Sequence, residues 1–148
     1  VPRKAQRLMD VTYEAMMRGL AIVKPGATLG DLGHAIQSFA EAERTSVVRE
    51  FCGHGLGRVF HDSPNILHFG KPGTLDVLKP GMIFTVEPML NAGSPQVKVL
   101  NDGWTAVTKD KSLSAQYEHS VGVTEDGVVI FTKSPAGLDE PHKLNATA

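Results

Sequence analysis

Lys79-Pro80-Gly81-Met82-Ile83-Phe84-Thr85-Val86-Glu87-Pro88-Met89 decides how the second half of this 148-residue chain is read. Lys-Pro-Gly makes a turn, and the apolar run behind it predicts a strand over residues 82–89. Side chains alternate along a strand, so Ile83, Thr85, Glu87 and Met89 share one face, and Phe84, Val86 and Leu90 the other. Glu87 is thus an acid in an otherwise apolar strand, with Pro88 ending the regular ladder beside it. A buried carboxylate without partners is costly. Glu87 therefore meets a cation or a strong hydrogen-bond set, or it lies at the strand end and touches water. The local pattern does not choose between the two.

Outward from this strand the period of the chain changes twice. Downstream, Val97–Leu100 and Trp104–Val107 flank Asn101-Asp102-Gly103, and Ser114–Thr124 and Val128–Thr132 flank Glu125-Asp126-Gly127. Both are hairpin signals. Upstream, residues 58–73 read as irregular, residues 52–57 as a glycine-rich loop, and Ser46–Phe51 as β-like. Before residue 45 the period is helical. Ala5, Leu8, Thr12, Ala15, Met16, Gly19, Ile22 and Val23 fall close to one face of a helix over 3–23. Pro25-Gly26 stops it. Thr28-Leu29-Gly30-Asp31 then forms an N-cap with an acid at the third helical position. The second helix, about 29–43, carries Leu32, Ala35, Ile36 and Phe39 as its buried stripe. Helices followed by a run of mostly antiparallel strands indicate an α+β fold. The tail, residues 134–148, is polar and is expected to be flexible.

Composition limits what such a domain does. The chain is long enough for one domain with a real core. Fifteen basic against sixteen acidic residues leave a formal charge of −1, with no long basic run, so nucleic acid is not favoured as a partner. Cys52 is the single cysteine, which excludes an internal disulfide framework and suits a reducing, cytoplasmic compartment. No apolar run approaches the roughly 20 residues of a membrane span, and residues 1–7 do not resemble a signal peptide.

Three segments each offer one hard metal ligand: His54 within Cys52-Gly53-His54-Gly55-Leu56-Gly57, Glu87 in the strand above, and Glu118 within Gln116-Tyr117-Glu118-His119. Glu118 shares a face with Gln116 and Ser120, which alone reads as a solvated sheet surface. Small neighbours at His54 allow backbone to approach a ligand closely. One imidazole and two carboxylates suit manganese, iron, cobalt or zinc better than calcium. His34, His68 and His142 read as structural histidines. His119 points opposite to Glu118 and reads as a core or supporting residue.

Together these segments resemble the type I methionine aminopeptidases of bacteria, over about residues 1–133. The resemblance is carried by Glu50-Phe51-Cys52-Gly53-His54-Gly55-Leu56-Gly57-Arg58, Phe60-His61, Leu78-Lys79-Pro80-Gly81-Met82, Phe84-Thr85-Val86-Glu87-Pro88-Met89, Asp102-Gly103-Trp104 and Ser112-Leu113-Ser114-Ala115-Gln116-Tyr117-Glu118-His119. It implies the pita-bread (creatinase/aminopeptidase) fold and hydrolytic removal of the initiator methionine when the next residue is small. It implies His54 and Glu87 as ligands of one metal, Glu118 as a carboxylate bridging two divalent ions, and Glu87 as the proton shuttle. His61 would steady the intermediate, and Phe60 and Trp104 would line the methionine pocket. Nascent polypeptide N-termini become the expected partners, with the ribosome as a candidate one.

The resemblance also implies two aspartate ligands and another catalytic histidine on segments ahead of the first helix, and here that helix begins beside Val1. Residues 1–133 are accordingly expected to be the C-terminal portion of a catalytic domain. By themselves they are expected to bind at most one metal weakly and to have little activity without the upstream portion. Two other readings compete: a pita-bread binding module without hydrolysis, and a related Xaa-Pro-directed or creatine-directed hydrolase.

Overall fold

The computed structural model describes residues 1–139. Two helices, α1 (Arg3–Ala21) and α2 (Leu29–Ala42), precede ten short strands. These are β1 (Ser46–Val47), β2 (Gly53–Gly55), β3 (Asp62–Ile66), β4 (Ile83–Val86), β5 (Met89–Asn91), β6 (Val97–Val99), β7 (Ala106–Thr108), β8 (Ser114–Gln116), β9 (His119–Val123) and β10 (Val128–Ile130). They form a five-stranded sheet ordered β10-β9-β4-β2-β3, a three-stranded sheet ordered β1-β5-β8, and the hairpin β6-β7. Every pairing is antiparallel. The expected α+β order is present.

α2 starts where the cap residues dictate. Asp31 N–H donates to Thr28 Oγ1 at 3.1 Å while Thr28 N–H donates to Asp31 Oδ2 at 2.8 Å, a reciprocal capping box. The second oxygen of Asp31 accepts Gly73 N–H at 2.8 Å, which ties the 70–77 segment to the helix. α1 buries Leu8, Val11, Thr12, Ala15, Met16, Gly19 and Leu20. α2 buries Leu29, Leu32, Ile36 and Ala40, whereas Ala35 and Phe39 are only half-buried. Leu32 and Ile36 are buried as expected, while Leu29 and Ala40, rather than Ala35 and Phe39, complete the buried stripe. Opposite the helices, Phe84, Val86, Leu90 and Val121 close the core, so the predicted alternation along residues 83–86 holds.

The strands differ from the sequence reading at four places. The expected loop at 52–57 contains β2, an interior strand, and its glycines hide it because strand propensity is low there. The expected irregular stretch at 58–73 contains β3, whose Pro64 is tolerated because β3 is a sheet edge. The β-like stretch 46–51 shortens to Ser46–Val47. The fourth difference positions the site. The strands expected at 82–89 and 114–124 each break, at Glu87-Pro88 and at Tyr117-Glu118.

The two breaks face one another. Val86 pairs with His119 at the end of one sheet, and Met89 pairs with Gln116 at the start of the other. A single antiparallel ribbon thus passes from sheet to sheet through a joint made of Glu87, Pro88, Tyr117 and Glu118.

Both predicted hairpins form. Val97–Val99 pairs with Ala106–Thr108, and Val128–Ile130 with Val121–Val123. Asp102 caps the first turn by accepting the N–H groups of Trp104 and Thr105, at 3.0 and 2.8 Å. Among the described residues no helix is long and apolar enough to cross a membrane. Of the tail, Ser134–Asp139 is described as turns in which Gly137 N–H donates to Ser134 O at 3.1 Å. Residues 140–148, His142 among them, lie outside the described residues.

Removing the reciprocal cap tests this account of α2. Thr28→Ala is expected to lower unfolding free energy by about 1 kcal/mol. Urea melts should show an earlier midpoint with an unchanged slope, and an unshifted midpoint would mean that the cap does not hold the helix end.

Candidate metal centre

The ribbon joint brings Glu87 and Glu118 to one place, and β2 brings His54 beside them. One donor atom from each of these three residues lies within 4.8 Å of the other two. The His54 and Glu87 side chains are 12% and 17% exposed, and His54 Nε2 stands 3.5 Å from Glu87 Oε1. Glu118 is the exposed member.

His54 reaches this position because its neighbours have no side chains. A Cβ on Gly53 would lie 2.3 Å from the Thr85 carbonyl oxygen, and one on Gly55 would lie 2.0 Å from that of Ser63. Only glycine lets β2 fit between β3 and β4. The His54 ring is then oriented by Nδ1, which donates to the Gly55 carbonyl at 3.1 Å. This leaves Nε2 as the ring atom turned toward the carboxylate. The Glu87 and Glu118 carboxylates repel each other unless a proton or a cation lies between them. The donor set therefore fits a hard or borderline divalent ion bound through Nε2 and carboxylate oxygens.

Glu87 is held at each of its polar atoms. Its N–H donates to His68 Nε2 at 3.0 Å, and its Oε1 accepts from Thr85 Oγ1 at 2.8 Å. Gln116 Nε2 donates to the Glu87 carbonyl at 3.2 Å and more loosely to Oε2 at 3.4 Å. Burial raises the Glu87 carboxyl above the ordinary range; the Thr85 hydrogen bond opposes this, and the nearby Glu118 charge adds to it. Burial, and behind it the Glu87 charge, pushes the Cys52 thiol up as well, so Cys52 stays a thiol beside the cluster.

His61 and Phe60 stand over this group. The His54 and His61 rings meet edge-to-face at 4.3 Å, Phe60 lies 4.6 Å from His61, and the His54 and Phe60 centroids are 5.3 Å apart. Phe60 is 70% exposed, so this wall faces open space. Trp104 sits in the β6–β7 turn, 90% exposed, and its hydrogen bond is its own N–H to Asp102. No described contact joins it to the cluster.

The remaining histidines separate as their surroundings dictate. His119 is buried on the core side with Nδ1 2.8 Å from Thr132 Oγ1, and burial lowers its pKa. His34 is exposed on α2. His68 is buried and accepts the main-chain N–H of the candidate ligand Glu87. Sequence reading missed Thr85, His68 and Gln116 as supports. The one signal available was the spacing of Thr85 and Glu87 on a common strand face.

Two helices backing an antiparallel ribbon that passes between two sheets make a pita-bread fold, and the two carboxylates and the imidazole at its joint are a candidate metal site. The sequence profile of Metallopeptidase family M24 matches residues 1–125, and the chain belongs to that family. It is 60% identical to the methionine aminopeptidase of Rickettsia prowazekii over 139 residues, which is 93% of this chain and 54% of that protein. It is 54% identical to the methionine aminopeptidase of Escherichia coli K12 over 127 residues, 86% of this chain and 48% of that one. The crystal structure of the Rickettsia prowazekii enzyme superposes with a TM-score of 0.88 at 59% identity, covering 89% of this chain and 54% of the other. The chain spans about half the length of these relatives.

His68 makes a measurable statement about pH. Its ring is 1% exposed, and burial lowers its pKa from 6.5 to about 4. Between those values the unfolded chain binds a proton that the folded chain refuses. Stability is therefore full above pH 6.5 and falls toward pH 4, by roughly 3 kcal/mol for this group. Urea melts of chelator-treated protein at pH 7 and 4.5 should show a shallower fall for His68→Gln than for the parent. Identical falls would remove His68 as the cause.

Proposed function

We propose that this chain works as a metallo-aminopeptidase that removes N-terminal methionine from polypeptides when the second residue is small. Residues 1–133 supply part of its catalytic domain. The observation that carries the reading is the convergence of His54, Glu87 and Glu118 on one point. The identity of 54–60% to proteins named methionine aminopeptidase supports the same choice over Xaa-Pro-directed relatives and over a binding module. Nascent polypeptide N-termini in the cytoplasm are the substrates this implies, with the ribosome as a candidate partner.

His54 and Glu87 would hold one ion and Glu118 would bridge to a second, the identity being manganese, iron, cobalt or zinc. Divalent ions bound there supply Lewis acidity and lower the pKa of water. The protein's own groups do the remainder. Glu87 accepts the proton of the attacking water at Oε2, its less engaged oxygen, and returns it to the leaving amine. His61, edge-on to His54, donates toward the oxygen of the scissile carbonyl as charge develops there. Phe60 and Trp104 present exposed rings, a suitable surface for a thioether side chain.

Turnover of Met-Gly-Met against Ala-Pro peptides, with manganese added, tests the proposal on the full polypeptide that carries these residues. Met-Gly-Met should be cleaved at its first bond, and Glu118→Gln should lower kcat/KM at least a hundredfold, about 3 kcal/mol of transition-state stabilisation. Faster cleavage of Ala-Pro would favour the Xaa-Pro reading, and no cleavage of either peptide by metal-loaded protein would favour the binding module. Residues 1–148 alone are expected to bind one manganese ion weakly, read by electron paramagnetic resonance of free Mn²⁺, with little turnover.

A further inference from the structure

We propose that Thr85 is a positioning residue whose hydroxyl couples the two metal-ligand candidates His54 and Glu87 into one rigid unit. The inference rests on the metal-site reading of the previous section and adds to it a residue that touches no substrate.

The argument starts from the sheet. β2 pairs with β4 through a single register position, Gly55 opposite Phe84. On its other side, against β3, β2 is bulged, with the register shifting between His54 and Gly55. The His54 amide is interior to the sheet, yet it does not donate to a carbonyl of β4. It donates to Thr85 Oγ1 at 3.0 Å. A side chain takes the place of a ladder carbonyl at the residue whose ring must be held still.

The hydroxyl has one proton to give and two acceptors in reach. The His54 carbonyl lies at 3.4 Å and Glu87 Oε1 at 2.8 Å. The shorter bond is also the one to a carboxylate, and such bonds are roughly twice as strong as neutral ones. The proton therefore goes to Glu87. The direction of the whole chain is then set: His54 N–H donates to Thr85, and Thr85 O–H donates to Glu87. One hydroxyl fixes where the strand carrying the imidazole lies and which way the carboxylate turns.

Thr85 is suited to this because it is 1% exposed and β-branched. Water does not compete at such depth, and a branched side chain in a strand has few rotamers. Glu87 lies two residues on, just past the end of β4, and the Thr85 oxygen reaches its carboxylate across the start of the break.

Thr85→Val keeps the shape and removes the hydroxyl, whereas Thr85→Ser keeps the hydroxyl and removes the methyl. Relative to the parent, Thr85→Val should weaken binding of the first Mn²⁺ ion ten- to a hundredfold, the range seen for lost supporting bonds to metal ligands. It should also alter the visible absorption of the Co²⁺-loaded protein, while Thr85→Ser stays within about threefold of the parent in Mn²⁺ affinity and keeps its Co²⁺ spectrum. A metal-free measurement stands beside these. Amide hydrogen exchange at His54, in chelator, should be at least tenfold faster in Thr85→Val than in Thr85→Ser. Equal exchange in the two variants, or Mn²⁺ affinity in Thr85→Val within twofold of the parent, would overturn the coupling. Should the parent bind no Mn²⁺ at all, the metal reading fails, and His54 exchange alone decides whether Thr85 holds β2. Should Thr85→Val not fold, Thr85→Ala compared with Thr85→Ser by the same exchange measurement decides in its place.

Discussion

Glu87 and Glu118 bring two carboxylates within 4.8 Å of each other and of the His54 ring, and these two like charges repel. Everything around them answers that repulsion. Glu87 is gripped at its amide, its carbonyl and both carboxylate oxygens, and His54 at its amide and at Nδ1. Side chains so restrained do not turn outward to find water, so Glu87 and His54 keep their places while Glu118 is the exposed member. The site is a place where folding energy from the rest of the domain holds like-charged groups together.

That energy comes from an ordinary core. Leu8, Met16, Leu20, Leu32 and Ile36 from the helices meet Phe84, Val86, Leu90 and Val121 from the sheets. Val86 and Leu90 flank the break at Glu87-Pro88 and are both fully buried. The break is thus pinned from either side by apolar packing, and the ribbon changes sheets at the residues that carry the acids. On the far side β2 slips in close because Gly53 and Gly55 add nothing to its width. Chemistry and packing meet at the same few positions. A change at Gly53 would therefore reach the candidate ligands as directly as a change in one of them.

Much of this was legible beforehand, for identifiable reasons. The capping box at Thr28 and Asp31 is a local exchange of two hydrogen bonds, and it formed as read. The turns at Asn101-Asp102-Gly103 and Glu125-Asp126-Gly127 are local too, and both hairpins formed around them. Residues 53–55 and 62–66 escaped because their strand character is imposed by neighbours distant in the chain. Glycine and proline carry no preference that would announce it. The support given by Thr85, His68 and Gln116 escaped for a related reason. Each is a commonplace polar residue until a partner 2, 19 or 29 positions away is placed against it.

The sequence by itself determined which residues have the right atoms: an imidazole between glycines, an acid in an apolar strand, and a second acid among polar neighbours. It also determined the order of helices and hairpins, since those follow from period and from turn residues. Only the tertiary structure decided that the strand of Glu87 and the strand of Glu118 break opposite one another, and that β2 lays His54 across the gap. The physical reason is that a break in a strand is not a property of its residues. It occurs where packing on both sides is satisfied by different sheets, and that balance exists only once the whole chain has closed around its core.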